Sequence, residues 1–185
     1  MGALSIVTID PDLLNLKDTV LRQSAKAVAV DDPEQLTLCQ KLALEMFEAM
    51  YSADGAALAA PQVSVSLRLI VMDPAGLDFG PHVLINPVID FKSEVEEGAN
   101  EGCLSLPRRQ GRAYRSTEVH LRAYNLKGEC EEYHATGWLA RIFQHEVDHL
   151  DGILYPDRLR PGDRLIETDV AARRRAKGAI RKLLG

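Results

Sequence analysis

Two histidines and a glutamate have the spacing of a metal-binding motif. Residues Gln144–Gly152 read QHEVDHLDG, which places His145 and His149 four residues apart. In an α-helix this separation turns the two imidazoles only about 40° from each other, so both can bind one ion. Glu146 lies beside them, where it can take a proton from bound water without being a ligand. A chance match on a surface helix is disfavoured, because nearby apolar residues indicate a helix that faces the interior: Leu139, Ile142, Phe143 and Leu150.

The third metal ligand is left open by the spacing. A catalytic site usually has three protein ligands and one open position. Cys103 follows Gly102 in the otherwise apolar segment EGCLSLP, and a metal would hold its side chain as the thiolate. His120 alternates with apolar residues, so we expect it to face solvent or to pair across a sheet. His134 is expected at the surface, and His82 and several carboxylates are further candidates.

With both segments in one chain of 185 residues, the sequence resembles the peptide deformylases. That family has three motifs in a fixed order. Gly55–Gln62 matches the glycine-hydrophobic-glycine-Leu-Ala-Ala-x-Gln motif, except that Ala57 replaces its second glycine. Glu101–Ser105 matches Glu-Gly-Cys-Leu-Ser, and Gln144–Gly152 matches Gln-His-Glu-x-Asp-His-Leu-x-Gly. The resemblance covers most of residues 18–160.

The resemblance implies a metal centre with three ligands. Cys103, His145 and His149 would hold one divalent ion, typically Fe²⁺ in the family, with Ni²⁺, Co²⁺ or Zn²⁺ able to replace it. Glu146 would be the general base and acid. Arg115 lies at the spacing where the family has an arginine paired with the glutamate of the second motif, here Glu101. We expect that pair to brace the cysteine loop.

The resemblance also implies the reaction: removal of the N-terminal formyl group from the formyl-methionine of new polypeptides, with release of formate. Metal-bound water would attack the formyl carbon with Glu146 as base, and Glu146 would then protonate the leaving amine. The Gln62 side chain and the Leu104 backbone N–H would bind the formyl oxygen. The peptide would lie extended against a strand edge. Gly55 and Ala57 would contact it, and Ile142 would line an apolar pocket for methionine.

Ala57 is the departure from the family pattern that affects the expected substrate site. If the loop needs a positive φ there, alanine costs about 1–2 kcal/mol. If the peptide backbone passes closely, the extra methyl group obstructs it or changes which substrates fit. If φ is ordinary and the methyl points away, the substitution is harmless. Because Gln62, Cys103, Leu104 and the third motif are intact, we expect catalysis to survive.

Two other functions are weighed against deformylation. Another metal-dependent amidase or peptidase would normally need a ligand after the helix, but Glu167 is the only later glutamate and no histidine follows His149. A non-catalytic binding module is supported only by Ala57 and a basic C-terminal segment. Such a module would not need Glu146 or Gln62, which are both present.

The elements that position these residues alternate in type along the chain. Asp32 can cap a helix that Pro33 begins, Gln35 completes a capping-box pattern, and Gly55 is placed to stop it. Strand patterns follow, and two further helices close the chain. The sequence predicts an α+β fold with mainly antiparallel β-sheets around a central HExxH metal-binding helix, with an N-terminal and a C-terminal helix. The predicted helices are Pro33–Asp54, Gly137–Leu150 and Asp163–Leu184, and the predicted strands are Leu67–Met72, His82–Asn86, Val88–Phe91, Glu118–Tyr124 and Glu129–Ala135, with Glu101–Pro107 as a short extended piece or loop.

Composition and charge set the remaining expectations. Residues 1–185 are expected to form a single catalytic domain, with 158–185 as a basic helical extension. From Arg158 onward there are nine Lys and Arg against three acids, a net of +6, which leaves −11 on residues 1–157. One interpretation of this basic helix is a contact with the ribosome; the interpretation we favour is a solvated helix whose cations suit its own C-terminal end. No membrane or specific DNA partner is expected. Three cysteines predict reduced thiols, and a cytoplasmic protein is expected, although a processed organellar form would look the same.

Overall fold

The computed structural model describes residues 4–10 and 19–168. Within these ranges the chain forms two α-helices and eight β-strands. Neither helix is long and apolar enough to cross a membrane. The helices are α1, Pro33–Ser52, and α2, Gly137–Leu150; the strands are β1, Ala57–Ala59, β2, Leu69–Met72, β3, His82–Lys92, β4, Glu96–Cys103, β5, Leu106–Ser116, β6, Glu118–Tyr124, β7, Cys130–Thr136, and β8, Ile166–Glu167.

The strands form two antiparallel sheets. One has five strands in the order β1-β2-β3-β6-β7, and the other has three in the order β4-β5-β8. The α+β class with antiparallel sheets is therefore as predicted. Within the described residues, β1 and β4 are each the outer strand of a sheet.

Helices cover both faces of the first sheet. Ile70 and Met72 of β2 belong to an apolar cluster that contains the buried residues of α2. Leu69 and Val71, which alternate with them, belong to a second cluster that contains the buried face of α1. This two-sided burial explains why β2 is continuously apolar and does not alternate with polar residues. Helix α2 therefore packs its buried side against the apolar face of the first sheet.

Helix α1 begins as predicted and ends by a different device. The Asp32 side chain accepts a hydrogen bond from the Glu34 N–H (2.9 Å), but Gln35 accepts from the Ala29 N–H (2.9 Å) and so does not complete a capping box. At the C-terminus of the helix the left-handed residue is Asp54 (φ 58°), and the N–H of Gly55 donates to Met50 O (2.9 Å). This is a Schellman end in which aspartate, not glycine, is left-handed.

Three predicted elements need correction. The segment predicted as a short extended piece or loop is the turn region of the long β4–β5 hairpin. The two strands predicted around Pro87 are one strand, β3, whose pairing with β6 shifts register between Ile85 and Val88. The helix predicted from Asp163 is wrong over its described part, because residues 163–168 contain β8, whose Glu167 pairs with Arg109 of β5. A strand partner outcompetes helix propensity at this point. The rest of that predicted helix lies outside the described residues.

Candidate metal centre

The ligand atoms of Cys103, His145 and His149 lie within 4.8 Å of one another. Cys103 is the last residue of β4, and the two histidines are one turn apart on α2. The Cys103 Sγ lies 3.2 Å from His149 Nε2. Across residues 4–10 and 19–168, no other group of three His, Cys, Asp or Glu side chains is close enough to hold an ion.

The other candidate ligands are engaged elsewhere. His120 and His134 face each other across β6 and β7, with stacked rings whose centroids are 4.0 Å apart. The predicted cross-sheet pairing of His120 is thus confirmed. His82 stacks on Phe79 with a centroid distance of 4.1 Å. Spacing left the third ligand open. Among the candidates, Cys103 is the one whose side chain lies close enough to both His145 and His149.

The donor set fits a catalytic transition-metal ion. One thiolate and two imidazoles suit Fe²⁺, Co²⁺, Ni²⁺ or Zn²⁺ and not the oxygen-preferring Mg²⁺ or Ca²⁺. Three protein donors leave a position for water, as in catalytic and not structural sites. The buried Glu146 Oε2, on the residue after His145, has no hydrogen-bond partner among the described residues. An unpaired buried carboxylate oxygen is costly unless something binds there.

Glu146 has the properties of a proton-transfer group. Its side chain is 5% exposed on α2. Burial raises its pKa to about 7, although the charge of the neighbouring His145 acts in the opposite direction. A carboxyl group that titrates near neutral pH can both take and release a proton there. For His149, burial and the charge of His145 hold the pKa well below its ordinary value, so the imidazole is neutral, as a metal ligand must be.

Glu101 orients His145. Its Oε2 lies 2.9 Å from His145 Nδ1, which directs the other ring nitrogen toward the cluster. Arg115 donates to both carboxylate oxygens at 3.0 Å, as the resemblance led us to expect. Burial acts to raise the pKa of Glu101, but hydrogen bonds from His145 and Arg115 outweigh it and lower the pKa far below its usual range. Glu101 is therefore ionised at neutral pH.

A second arginine, which the sequence reasoning missed, also binds Glu101. Arg141 Nη1 donates to Glu101 Oε1 at 2.7 Å, and the Arg141 side chain is 7% exposed. The available signal was its position four residues before His145, on the helix face that should be apolar. A cation there needs a buried anion as its partner.

Asp148 extends this charge network along α2. It accepts hydrogen bonds from Arg115 and, through both carboxylate oxygens, from Arg158 (3.0 and 2.6 Å). Burial acts to raise the pKa of Asp148, but these arginines outweigh it and lower the pKa. The third motif therefore supplies two candidate metal ligands, His145 and His149, and an anchor for Arg115.

Gln62 lies at the cysteine side of the site. Its side chain is buried, with Oε1 accepting from the Ala59 N–H (2.8 Å) and Nε2 lying 3.2 Å from Ser105 Oγ and 3.4 Å from Cys103 Sγ. The first bond fixes the amide orientation, so the NH₂ group points toward Cys103. Gln62 is thus near the position that the resemblance implied.

Two loops of the site are joined by the start of the chain. The Val7 N–H donates to Gln62 O (2.7 Å), and the Ile9 N–H donates to Ser105 O (2.9 Å). One extended segment therefore holds the loop of the first motif against the loop of the second. Sequence patterns gave no sign of this contact.

The substituted position of the first motif is unstrained. Ala57 is absent from the positive-φ residues of the described chain; it lies in β1, opposite Met72, and packs against the apolar cluster of α2. Of the alternatives that the sequence left open for Ala57, the one that required a positive φ is therefore excluded. At Gly55 a Cβ would lie 2.8 Å from the Leu104 Cδ1 atom, so the Leu104 side chain would have to shift to admit it. Ile142 is buried in the same cluster as Ala57, and its expected substrate contact stays a prediction.

Comparisons with known proteins agree with this geometry. Residues 11–165 match the family model described as polypeptide deformylase. The chain is 46% identical over 142 residues to the peptide deformylase of Pseudothermotoga lettingae, covering 77% of this chain and 78% of that one. It is 44% identical over 149 residues to that of Thermotoga neapolitana, covering 80% and 87%. The crystal structure of the Thermotoga maritima peptide deformylase has a TM-score of 0.74 at 38% identity, covering 87% and 100% of the two chains. The chain therefore belongs to the polypeptide deformylase family, whose members are metal-dependent hydrolases.

Proposed function

We propose that this chain removes the formyl group from the N-terminal formyl-methionine of newly made polypeptides and releases formate. The observation that carries the proposal is the convergence of Cys103, His145 and His149 beside an unpartnered, buried Glu146 oxygen. The relatives named above are peptide deformylases, which supports the same reaction. The substrate would be the nascent chain, met in the cytoplasm. A ribosome contact through the basic segment 158–185 stays a prediction.

We assign the metal ligands to Cys103, His145 and His149, with Fe²⁺ as the proposed ion and Ni²⁺, Co²⁺ or Zn²⁺ as substitutes. When bound, such an ion acidifies water and polarises the formyl oxygen. Glu101 would hold His145 in the tautomer that leaves its second nitrogen free for the ion. Arg115 binds both Glu101 and Asp148, and it would keep the Glu101 carboxylate in place.

Glu146 would move the proton between water and the leaving group. It takes a proton as the water oxygen bonds to the formyl carbon, and gives it to the amine nitrogen as the carbon–nitrogen bond breaks. The products are formate and a free α-amino group. The Gln62 Nε2 and the Leu104 N–H would donate hydrogen bonds to the formyl oxygen as it gains negative charge. A pKa of about 7 for Glu146 suits both halves of this exchange.

The strand arrangement supports binding of an extended peptide. Strand β1 precedes the Gln62 turn and β4 ends at Cys103, and both are outer strands of their sheets in the described structure. An outer strand offers free main-chain N–H and C=O groups to an added strand. We propose that the substrate main chain binds at this place, near Gly55 and Ala57, with the methionine side chain toward Ile142.

Formate release from a formyl-Met tripeptide tests this function, with protein purified without oxygen and loaded with Fe²⁺ or Ni²⁺. The acetyl-Met tripeptide is the substrate control, because a site shaped for the smallest acyl group should reject acetyl. The Glu146→Gln variant is the matched protein control. It should keep about one metal ion per chain and lose about 10²- to 10⁴-fold in turnover, since proton transfer contributes that much. Full turnover by this variant, or equal release from both peptides, would contradict the proposal.

A further inference from the structure

Arg141 joins α2 to both strands of the β4–β5 hairpin. Its guanidinium donates to the main-chain oxygens of Glu97 in β4 (2.6 Å) and Ala113 in β5 (2.9 Å), and to Glu101 Oε1 (2.7 Å). The side chain is nearly fully buried. A planar guanidinium can reach three acceptors at once, which a lysine ammonium cannot do with the same geometry.

The metal ligands are divided between the two parts that Arg141 joins. Cys103 lies in the hairpin, whereas His145 and His149 lie on α2. The distance from the sulfur to the two imidazoles therefore depends on how the helix docks against the hairpin. Any contact that sets this docking also sets the size of the metal site.

Arg141 acts on one side of His145, and a second contact acts on the other. Arg115, in the hairpin, binds Asp148, which follows His145 by three residues; Arg141 precedes it by four. The helix is thus attached to the hairpin both before and after the ligand that Glu101 orients. Without Arg141, α2 would keep the bonds of Gln144 to the Ser116 main chain in β5 (3.1 and 2.9 Å) and that of Asp148 to Arg115. It would lose its bonds to the main-chain oxygens of Glu97 and Ala113, and Glu101 Oε1 would keep one donor in place of two.

We propose that Arg141 is a positioning residue of the metal centre, which fixes the hairpin against α2 and so sets the geometry of the Cys103, His145 and His149 donors. It is not a catalytic residue, because it touches Glu101 and two main-chain oxygens and none of the three donors. The inference rests on the metal centre assigned under the proposed function. It predicts a change in metal binding that a merely stabilising arginine would not produce.

The test compares Arg141→Met and Arg141→Lys with the parent protein, and uses Arg122→Met as the matched control. Arg122, in the first sheet, also has a carboxylate partner, Asp90 (2.6 Å), but both side chains are exposed to solvent. Co²⁺ affinity is measured by competition with a chelator, and the thiolate-to-Co²⁺ absorption bands report donor geometry. Thermal unfolding of each protein shows whether it is folded.

Arg141→Met should weaken Co²⁺ binding by about 10- to 100-fold, as loss of groups that orient metal ligands does. Its absorption bands should shift, and Arg141→Lys should recover part of the affinity. Arg122→Met should match the parent protein. If Arg141→Met does not fold, a Co²⁺ Kd raised at least threefold in Arg141→Lys supports the proposal.

A lowered Tm with unchanged Kd and unchanged bands in a folded Arg141 variant would overturn the proposal, because arginine would then serve stability alone. These measurements do not need turnover. A metal-loaded parent protein that releases no formate would therefore contradict the proposed function without deciding the role of Arg141.

Discussion

Gly152 and Gly80 form a matched pair for measuring what close packing behind α2 contributes to stability. Both have φ of +73°, in the left-handed region that alanine adopts poorly. A Cβ on Gly80 would meet nothing within 4 Å. A Cβ on Gly152 would lie 2.7 Å from Arg22 C, 2.8 Å from Arg22 O and 3.0 Å from Gln23 N. The two alanine variants thus share the conformational cost and differ in the steric cost.

The structure gives the two magnitudes separately. Gly80→Ala should lower the free energy of unfolding by about 1 kcal/mol, the low end of the cost of a left-handed alanine. Gly152→Ala should lower it by about 3 kcal/mol, because the main chain of residues 22 and 23 must also move. For a chain of this size each kcal/mol lowers the Tm by about 2–4 °C. The expected decreases are therefore about 2–4 °C for Gly80→Ala and about 6–12 °C for Gly152→Ala.

Urea and thermal unfolding, followed by circular dichroism, measure both variants under one set of conditions. The metal is kept saturating in one series and removed in another, so that binding does not hide the difference. Equal destabilisation of the two variants would refute the reasoning, since the contact with residues 22 and 23 would then carry no energetic weight. A Gly152→Ala protein that is as stable as the parent would refute it as well.

Three further results are expected. Cys103→Ser should lower the metal-to-protein ratio measured by atomic absorption, because a hydroxyl is a far weaker ligand than a thiolate for these ions; full occupancy would show that the histidines suffice. Val7→Pro should lower the free energy of unfolding by about 1 kcal/mol more than Thr8→Pro, since of these two residues only Val7 donates a main-chain hydrogen bond in the described structure. The pKa values of Glu101 and Asp148 are lowered on folding, so their stabilisation is complete above the unfolded carboxyl pKa of about 4 and is lost as pH falls below it. Metal-depleted protein should lose up to about 2.7 kcal/mol of stability per pH unit there, in urea titrations; a flat profile would contradict the two shifts.

Helices α1 and α2 and the β6–β7 hairpin were predictable because their patterns are local. α2 has its predicted bounds, Gly137–Leu150, since apolar periodicity and burial agree there. The β4–β5 hairpin was reduced to a short piece because its glycines and charged residues hide the alternation of a strand. β8 could not be foreseen, because a two-residue strand is defined by its partner and not by its own sequence.

The same division holds at the site. Residues joined by motif spacing or by family resemblance came together: Gln62 and Cys103 are in contact, and Arg115 binds Glu101. Arg141 and the main-chain bonds of Val7 were missed, because contacts between distant segments leave no pattern in either one. Whether Ala57 strains the backbone could be decided only from the structure, since the sequence does not determine the φ angle of a single residue.

The division of the donors between β4 and α2 has a consequence for folding kinetics. Cys103 and His149 are 46 residues apart in sequence. An ion that binds both would close a loop of that length, and unfolding would have to release it before the loop could open. Ion and chain would then behave as a reversible cross-link, so added chelator should speed unfolding of the loaded protein while leaving refolding of the bare chain unchanged. During synthesis, no ion could be captured by all three donors until His149 had left the ribosome.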